Sequence, residues 1–403
     1  MLNFRWFSTV LFILLAIFSL SFVWALSQPP EVQWNRVYNG YETQDLIQTA
    51  DGGYAIAGMN ATYTLRGYNY FLPMLIKTTS LGEIEWGKTY DSKFGVSREA
   101  FSVVQTRDLG YLLSGRGGWV LKVNSHGDIQ WNKTFGFSLI ECYAIQTSNG
   151  DFVLSGLMTN NNNGEDALVF KIDAMGNLLW NKEFSDPSVQ FVAAGKLVET
   201  TDQNYAFVGN WGNYAWFAQI SSTGDLQINQ TYQFSSNGGN SFFSIAKTND
   251  GGYVVTGNDR QSVWLAKLDS EGTIQWSQPY QGKSFRVAVQ APDGGYIAGG
   301  GTLLKVNATG RIEWSNVTSG VGTTVIVTND GGYAAAGFES SSNGDMQEVW
   351  VIKFASESAI LPDGKAPLPD ESSPFPTIWI VVAVIIVATA GIGLLVYLKK
   401  YKH

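Results

Sequence analysis

The sequence contains little of several residue types on which common kinds of site depend. It has one cysteine, Cys142, and two histidines, which excludes an internal disulfide framework and a Cys/His metal cluster. Charged residues make up 15% of the chain, below the roughly 25% of ordinary soluble domains. The 34 acidic residues outnumber the 26 basic ones and give a net charge of −8. Such a surface argues against nucleic acid as a partner.

Two long apolar segments lie near the ends of the chain. Residues 1–25 combine a basic start, an apolar stretch and a Val-Trp-Ala ending, which predicts a signal peptide cut after Ala25; the stretch is also long enough to stay as an anchor. Residues 377–398 are uncharged and match the thickness of a bilayer, and lysines follow at once. We therefore predict a transmembrane helix at 377–398, a cytoplasmic tail at 399–403 and an extracellular domain before the helix. Residues 359–376 hold five prolines and predict an extended stalk.

The most prominent feature present is a repeat. An acidic or amide residue, two spacers and an aromatic residue are followed four residues later by glycine, as in Asp51-Gly-Gly-Tyr54 with Gly58. Further copies begin at Asp108, Asn149, Asp202, Asp250, Asp293 and Asp330. Short apolar runs separated by turn residues at this period are typical of propeller blades. The sequence thus predicts an all-β, seven-bladed β-propeller over residues 32–358.

Each unit predicts four strands, named a to d from the axis outward. The turn from c to d carries a glycine, as in Ser80-Leu-Gly82, and strand d usually carries a tryptophan, as at Trp131. The seventh unit ends after its c strand at 349–354. The segment Val32-Gln-Trp-Asn-Arg-Val-Tyr38 matches strand d of the second unit almost position for position. We therefore expect this N-terminal strand to complete the seventh sheet and close the ring.

These motifs resemble a known group of proteins. Asp-Gly-Gly-Tyr, the later glycine, a Leu/Val-Lys strand and Ile-Gln-Trp-Asn-Lys-Thr are similar to secreted or cell-surface β-propeller repeats of archaeal or bacterial type. The c-to-d turn with its tryptophan also resembles the tryptophan-docking repeat of quinoprotein-like propellers. The resemblance covers residues 32–354 and implies the propeller fold, with cell-surface recognition or adhesion as the function. Quinoprotein enzymes need a calcium site and catalytic carboxylates that break the repeat, and we find none, so we expect no cofactor.

Residues that recur in nearly every blade are interpreted as structural. Lysine stands in strand c at 77, 122, 171, 267, 305 and 353, and we expect it to contact a carboxylate or carbonyl of its own or the next blade. The recurring Asp is explained by turn construction. His126 aligns with variable turn residues, and Cys142 fits a small buried side chain. We assign no catalytic residue and no metal ligand. An oxygen-rich run at 159–166 resembles a calcium loop but lacks the closing glutamate.

Departures from the repeat are better candidates for a ligand site. They fall in the b-to-c and d-to-a connections at 60–70, 159–166, 211–214, 235–241 and 340–348, which this topology brings to one face. Aromatic and amide side chains there suit contact with sugars or with a polar protein surface. The candidate ligand-binding residues are Tyr68, Tyr70, Trp211 and Tyr214. Solvated loop tips are the alternative interpretation.

Five glycosylation motifs are present, and three of them fall on predicted outer strands. The acceptor residues are Asn60, Asn132, Asn229, Asn307 and Asn316. The sequence thus predicts a single-pass cell-membrane glycoprotein that binds a glycan or envelope protein through the loop-rich face. The alternatives are an extracellular polysaccharide hydrolase or lyase with acids near the axis, and a structural envelope component. The sequence does not decide whether the protein is an enzyme, although it favours a non-enzymatic module.

Overall fold

The structure is a computed structural model. It describes residues 28–357 except for residues 40, 66–67, 91–98, 160–163, 236–237, 319 and 341–346. The predicted signal peptide (1–25), stalk (359–376), transmembrane helix (377–398) and tail (399–403) lie outside the described residues. No helix in the described part of the chain is long and apolar enough to cross a membrane.

The described residues form an all-β seven-bladed propeller of four-stranded antiparallel sheets. Blade one contains β2 (Tyr41–Gln48), β3 (Tyr54–Leu65), β4 (Tyr68–Thr78) and β5 (Ile84–Thr89). Blade two contains β6 (Ala100–Gln105), β7 (Tyr111–Gly115), β8 (Trp119–Val123) and β9 (Ile129–Thr134). Blade three contains β10 (Leu139–Gln146), β11 (Phe152–Thr159), β12 (Glu165–Ile172) and β13 (Leu178–Phe184). Blade four contains β14 (Val192–Glu199), β15 (Tyr205–Trp211), β16 (Tyr214–Ile220) and β17 (Leu226–Tyr232).

The remaining three blades follow the same plan, and the last takes its outer strand from the start of the chain. Blade five contains β18 (Ser241–Lys247), β19 (Tyr253–Asn258), β20 (Val263–Leu268) and β21 (Ile274–Tyr280). Blade six contains β22 (Val287–Gln290), β23 (Tyr296–Gly299), β24 (Thr302–Val306) and β25 (Ile312–Val317). Blade seven contains β26 (Val321–Val327), β27 (Tyr333–Ser340), β28 (Gln347–Phe354) and β1 (Val32–Asn39).

The ring closes as the sequence predicts. Strand β1 pairs antiparallel with β28, with Val32 opposite Phe354. The innermost strands β2 and β26 also contact each other across the join between blades one and seven. A hydrogen bond of 2.7 Å from the Asn329 backbone N–H to the Gln48 side chain crosses the same join. The first and last blades are therefore held together by contacts of the kind that join consecutive blades.

The Asp-Gly-Gly-Tyr motif builds the a-to-b turn and neutralises a buried lysine. Asp51 accepts a hydrogen bond of 3.0 Å from the Gly53 N–H and lies 2.8 Å from the Lys77 ammonium. Gly52 has φ +83°, and a Cβ at Gly53 would lie 2.6 Å from the Lys77 nitrogen. The prediction for the recurring lysines is confirmed in all six blades that have one, since each pairs with a carboxylate of its own blade.

The recurring tryptophan docks onto the next blade. Trp34 of β1 donates a 3.1 Å hydrogen bond from its indole N–H to the Ser80 carbonyl, and its ring stands edge-on to Tyr54 at 5.4 Å. Gly82 has φ +74°, and a Cβ there would approach the Trp34 ring to 2.8 Å. The glycine of the c-to-d turn is therefore required by its backbone conformation and by the ring that covers it. Aromatic and aliphatic side chains of adjacent blades bury each other, so the core lies between the sheets.

Candidate functional site

The two ends of the propeller differ in character. The a-to-b and c-to-d turns, which repeat with little change, lie at one end, which we name the turn face. The b-to-c and d-to-a connections lie at the other end, which we name the loop face. Because every a strand starts at the loop face and every b strand ends there, the residues at these strand ends surround the axis on that side.

A cavity of about 300 Å³ opens at the axis on the loop face. Such a volume is at the lower end of the range for small-molecule sites. All seven blades contribute a side chain at an equivalent place in the a strand or immediately before it. These seven residues, which we name the axial ring, are Gln44, Phe101, Tyr143, Lys196, Phe243, Arg286 and Thr323. They include two aromatic hydrocarbons, two cations, a phenol, an amide and a hydroxyl. The residue at the axis therefore varies between blades, whereas the turn aspartate, the c-strand lysine and the strand d tryptophan recur in most of them.

A local irregularity of the a strands accounts for the position of most of the axial ring. The pairing register of strands a and b shifts across Gln44, Phe101, Lys196, Phe243 and Thr323, which leaves these residues out of the ladder. Such a β-bulge bends the strand and redirects the extra side chain. The other two blades differ. Arg286 lies just before β22, and Tyr143 pairs with Ser155 while the shift in its strand falls across residue 140.

Hydroxyl groups from the preceding blade fix three of these strand segments. Ser114 donates a 2.8 Å hydrogen bond to the Cys142 carbonyl, next to Tyr143. Ser155 donates to the Gly195 carbonyl, next to Lys196, and Thr256 donates to the carbonyl of Arg286 itself, both at 2.5 Å. The equivalent position before the recurring glycine is Ala57, Val208, Gly299 or Ala336 in the other blades. Each blade that supplies Tyr143, Lys196 or Arg286 thus follows a blade that carries one of these hydroxyls.

The charged groups of the cavity are unequally paired. Tyr143 donates a 2.9 Å hydrogen bond to Glu141, and burial, followed by the charge of Glu141, raises the pKa of Tyr143 well above its usual value. Lys196 lies 3.6 Å from Asp45, a separation that leaves a loose ion pair. Asp45 also accepts a 3.1 Å hydrogen bond from the Val103 N–H. Among the described residues, the Arg286 guanidinium has no hydrogen bond or ion pair. Tyr143 is therefore a hydrogen-bond donor, and Arg286 is available to an anion.

Carboxylates lie at the loop face in blades one to three, and that of Glu141 lines the cavity. Glu42, Glu99 and Glu141 occupy equivalent places, since a Cβ at the recurring glycine of each blade would meet the carbonyl of one of them. Burial and then the charge of Glu99 raise the pKa of Glu42 to about 7. Burial and then the charge of Glu141 also raise the pKa of Glu165. The loop face is thus acidic on one side of the axis, while Lys196 and Arg286 come from blades four and six.

The structure distributes the sequence-predicted ligand residues around the rim of the loop face. Tyr68 and Tyr70 start β4 and pair with Leu65 and Tyr63, and their side chains lie outside the described part of the structure. The predicted connection at 60–70 is therefore largely strand, because a run of Thr, Tyr and Phe residues on both sides favours extended pairing. This rim differs from the axial cavity.

Trp211 and Tyr214 of blade four lie on either side of a two-residue turn and pair with each other. The Trp211 indole donates a 2.9 Å hydrogen bond to Asp186 and packs edge-on against Trp216 at 5.1 Å. Tyr214 is 46% exposed. Trp211 is thus already engaged with its own domain, and Tyr214 is the residue of this pair that faces solvent.

The five predicted glycan acceptors differ in their surroundings. Asn132, Asn229 and Asn316 lie exposed on the outer strands β9, β17 and β25, as expected. The side-chain oxygens of Asn132 and Asn229 accept hydrogen bonds of 2.9 and 2.7 Å from Trp119 and Trp216. The Asn307 side chain closes a c-to-d turn through bonds to the following backbone. Asn60 lies in β3 and is partly buried.

Sequence reasoning did not single out the axial ring. The signal was available, because each member stands 13 or 14 residues before the recurring glycine of its blade, as Gln44 does before Gly58 and Tyr143 before Gly156. Variation at this fixed distance marks the position. Cys142, next to Tyr143, is fully buried as predicted, and burial raises the pKa of its thiol to about 12. No group of three or more metal-binding side chains occurs among the described residues. Residues 160–163, within the run at 159–166 that resembles a calcium loop, lie outside the described part of the chain.

Comparisons with known proteins support the fold. No family model matches the chain, and no curated protein matches it. The solved structure of the Dos1 propeller is similar at a TM-score of 0.56 and 10% identity, over 81% of this chain and 96% of that one. The Pan2 WD40 domain of Neurospora crassa gives 0.54 and 11%, over 78% and 89%. BamB from Moraxella catarrhalis gives 0.43 and 12%, over 78% and 98%. The protein is a β-propeller, a fold compatible with a recognition or protein-binding module.

Proposed function

We propose that this protein is a membrane-anchored recognition module that binds a glycan or an envelope protein outside the cell, with the axial cavity as the centre of its binding face. The observation that carries the proposal is the axial ring, in which one equivalent position holds six different residue types across the seven blades of a largely repetitive scaffold. A residue needed for the fold recurs from blade to blade, as the c-strand lysine does. A position that binds a ligand has no reason to recur.

The chain ends support an outward-facing binding site. Val32 and Phe354 pair with each other at the turn face, so both ends of the propeller leave from that side. An anchor at either end of the chain would therefore join the propeller at the turn face. The loop face, with the axial cavity, is at the other end of the blades. This topology is compatible with the proposed signal peptide, stalk and transmembrane helix.

The composition of the loop face suits polar ligands. The cavity combines the rings of Phe101 and Phe243 with the amide of Gln44 and the hydroxyl of Thr323. Aromatic rings stack on the apolar faces of sugars, and amides and hydroxyls bond to sugar hydroxyls or to peptide groups. These side chains do not require a metal or a cofactor for binding.

The proposal is tested with the full-length chain in detergent micelles, applied to a glycan array and to immobilised polysaccharides and proteins of the envelope. Phe243→Ala and Gln44→Ala should each reduce binding, whereas Leu81→Ala, an exposed apolar residue of the turn face that is 59% exposed, should leave it unchanged. Tyr214→Ala tests the contribution of the rim. Binding that persists in both axial variants would refute the axial site, and binding to none of these materials would favour a structural envelope component.

A polysaccharide hydrolase or lyase is the second candidate, and one observation favours it. The pKa of Glu42 is raised to about 7 by burial and by the neighbouring Glu99, so its carboxyl keeps its proton to a higher pH than an ordinary glutamate does. A protonated carboxyl beside a second carboxylate is the pair that glycoside hydrolysis uses. Release of reducing or unsaturated sugars from an envelope polysaccharide, abolished by Glu42→Gln and retained in Glu83→Gln on the turn face, would establish this activity in place of simple recognition.

A further inference from the structure

We propose that the ligand of the axial cavity is a sugar that carries a carboxylate, within a glycan that is otherwise neutral. This inference rests on the proposed function and specifies its ligand. It follows from the division of the cavity into a cationic part, a hydrogen-bond-accepting part and an aromatic part, each supplied by different blades.

The cationic part consists of Arg286 and Lys196. The Arg286 guanidinium is exposed at the cavity and makes no hydrogen bond or ion pair with a described residue. Lys196 lies 3.6 Å from Asp45 and 6.0 Å above the Tyr143 ring, so its ammonium has capacity for a further acceptor. A planar carboxylate matches the fork of a guanidinium and accepts two parallel hydrogen bonds. These two cations are the groups that would hold the acidic function of the ligand.

The accepting part consists of Glu141 and Gln44. The Glu141 carboxylate can accept hydrogen bonds from sugar hydroxyls besides the one from Tyr143, and the Gln44 amide, which has no hydrogen bond to a described residue, can both donate and accept. A ligand with several neighbouring hydroxyls would satisfy this side, whereas a simple inorganic anion would place negative charge against Glu141.

The aromatic part consists of Phe101 and Phe243, from blades two and five. Hydrocarbon rings cannot hydrogen-bond to a ligand and instead cover an apolar surface, such as the C–H face of a pyranose. A cavity of about 300 Å³ has room for one or two sugar units. Aromatic cover, hydrogen-bond acceptors and a cationic fork together describe a sugar acid better than they describe a neutral sugar.

The surrounding charge argues for a single acidic residue in the ligand. The protein has a net charge of −8, Glu141 lines the cavity, and Glu42 and Glu99 lie at the equivalent places of blades one and two, where Glu99 also pairs with Arg116 at 3.7 Å. A polymer with an acid on every unit would be repelled by these carboxylates. A mostly neutral glycan can place one carboxylate on Arg286 and its neutral units past the glutamates.

The backbone contacts indicate that these groups are held ready for the ligand. Ser155 and Thr256 fix the carbonyls next to Lys196 and at Arg286, and Ser114 fixes the one next to Tyr143. Ordering a binding group before the ligand arrives removes part of the cost of association. The blades that precede those of Gln44, Phe101, Phe243 and Thr323 lack such a hydroxyl at the equivalent position.

The experiment measures binding of defined small sugars to the full-length chain in detergent micelles by titration calorimetry. The probes are methyl β-glucuronide, N-acetylneuraminic acid, methyl β-glucoside and glucuronamide, with an N-acetylated tripeptide bearing a free C-terminal carboxylate as the protein-like probe. We expect at least one sugar acid to bind about tenfold or more tightly than the glucoside and the amide, since a hydrogen bond to a charged group is worth about 1.5 to 3 kcal/mol.

Two variants and one matched control complete the test. Arg286→Gln and Lys196→Gln should each weaken binding of the sugar acid by about tenfold and leave the glucoside unaffected. Arg311→Gln, an exposed arginine at the opposite end of the same blade, should change neither. Circular dichroism verifies that each variant is folded.

Three results would overturn the inference. Equal affinity for the glucuronide and the glucoside would refute the carboxylate requirement. Binding of the tripeptide but of no sugar, lost in Arg286→Gln, would identify a protein terminus as the ligand. If none of the five probes bound, a sugar acid as the ligand would be refuted. The effect of Phe243→Ala on binding of the envelope ligand would then decide separately whether the proposed recognition function stands.

Discussion

Removing the tryptophan of β1 tests the closure of the ring directly. Trp34 is half-buried, donates its indole N–H to the Ser80 carbonyl at 3.1 Å and packs against Tyr54 at 5.4 Å. Truncation of a fully buried tryptophan to alanine costs about 3–5 kcal/mol, and half of that applies here. The hydrogen bond and the ring pair each add about 0.5–1 kcal/mol. We therefore expect Trp34→Ala to lower the free energy of unfolding by about 3 kcal/mol.

The matched control is Trp131→Ala, because Trp131 docks in the same way between two blades that are consecutive in the chain, with its N–H 3.2 Å from the Ala174 carbonyl. Denaturant titration should give a similar loss for both variants. Hydrogen exchange should separate the two variants. Only Trp34→Ala should speed exchange of amides in β1 and β28, since no turn of the chain joins β1 to the other strands of blade seven. A change below about 0.5 kcal/mol, or faster exchange in β9 rather than β28, would refute the proposed role of the docked strand.

Three further predictions concern the repeat and the loop face. Gly310→Ala should destabilise the fold by about 1 kcal/mol or more in thermal unfolding, because φ is +81° and the new Cβ would lie 2.8 Å from the Trp276 ring; no loss would show that the docked ring can shift. Despite burial, hydrogen bonds from Lys353, Thr328 and the Gly332 N–H hold the pKa of Asp330 at about 2. The stability that Asp330 contributes should therefore be present above about pH 4 and be lost as the pH falls towards 2, and Asp330→Asn should abolish this pH dependence. The pKa of Glu42 is shifted upward to about 7, so stability should fall as the pH rises from about 4.3 through 7, and Glu42→Gln should stabilise the protein at pH 8 but not at pH 4; equal effects at both values would contradict the shift.

The architecture could be predicted from the sequence because much the same local chemistry occurs in most blades. The Asp-Gly-Gly-Tyr turn, the c-strand lysine and the docked tryptophan contact one another over short separations, as Asp51 and Lys77 do, so the spacing of motifs determines the sheet. The closing strand was predictable because Val32–Tyr38 has the sequence pattern of a d strand and is not preceded by the a, b and c strands of a unit. The pairing of β1 with β28 confirms this reading.

The candidate site was less accessible to sequence reasoning, for two physical reasons. Its members come from all seven blades and meet only because the ring closes, so no local motif contains them. The sequence pattern instead favoured aromatic residues near the connections, such as Trp211. The Trp211 indole donates a hydrogen bond to Asp186 within the fold. The exposed or buried state of a loop aromatic depends on contacts between blades, which periodicity does not encode.

The bulges suggest why the axial ring can differ while the rest of each blade recurs. A residue outside the ladder, such as Phe243, forms no register pair that a change of side chain would disturb, and it points towards a cavity rather than a neighbouring sheet. The turn-face residues have the opposite situation, because Lys305 is fully buried between two carboxylates, each at 2.6 Å. Substitution of Lys305 would remove a buried ammonium together with its bonds to two partly exposed carboxylates, which ties this position to the turn that they build. Stability therefore constrains the turn face to repeat, and it leaves the axial position on the loop face free to differ between blades.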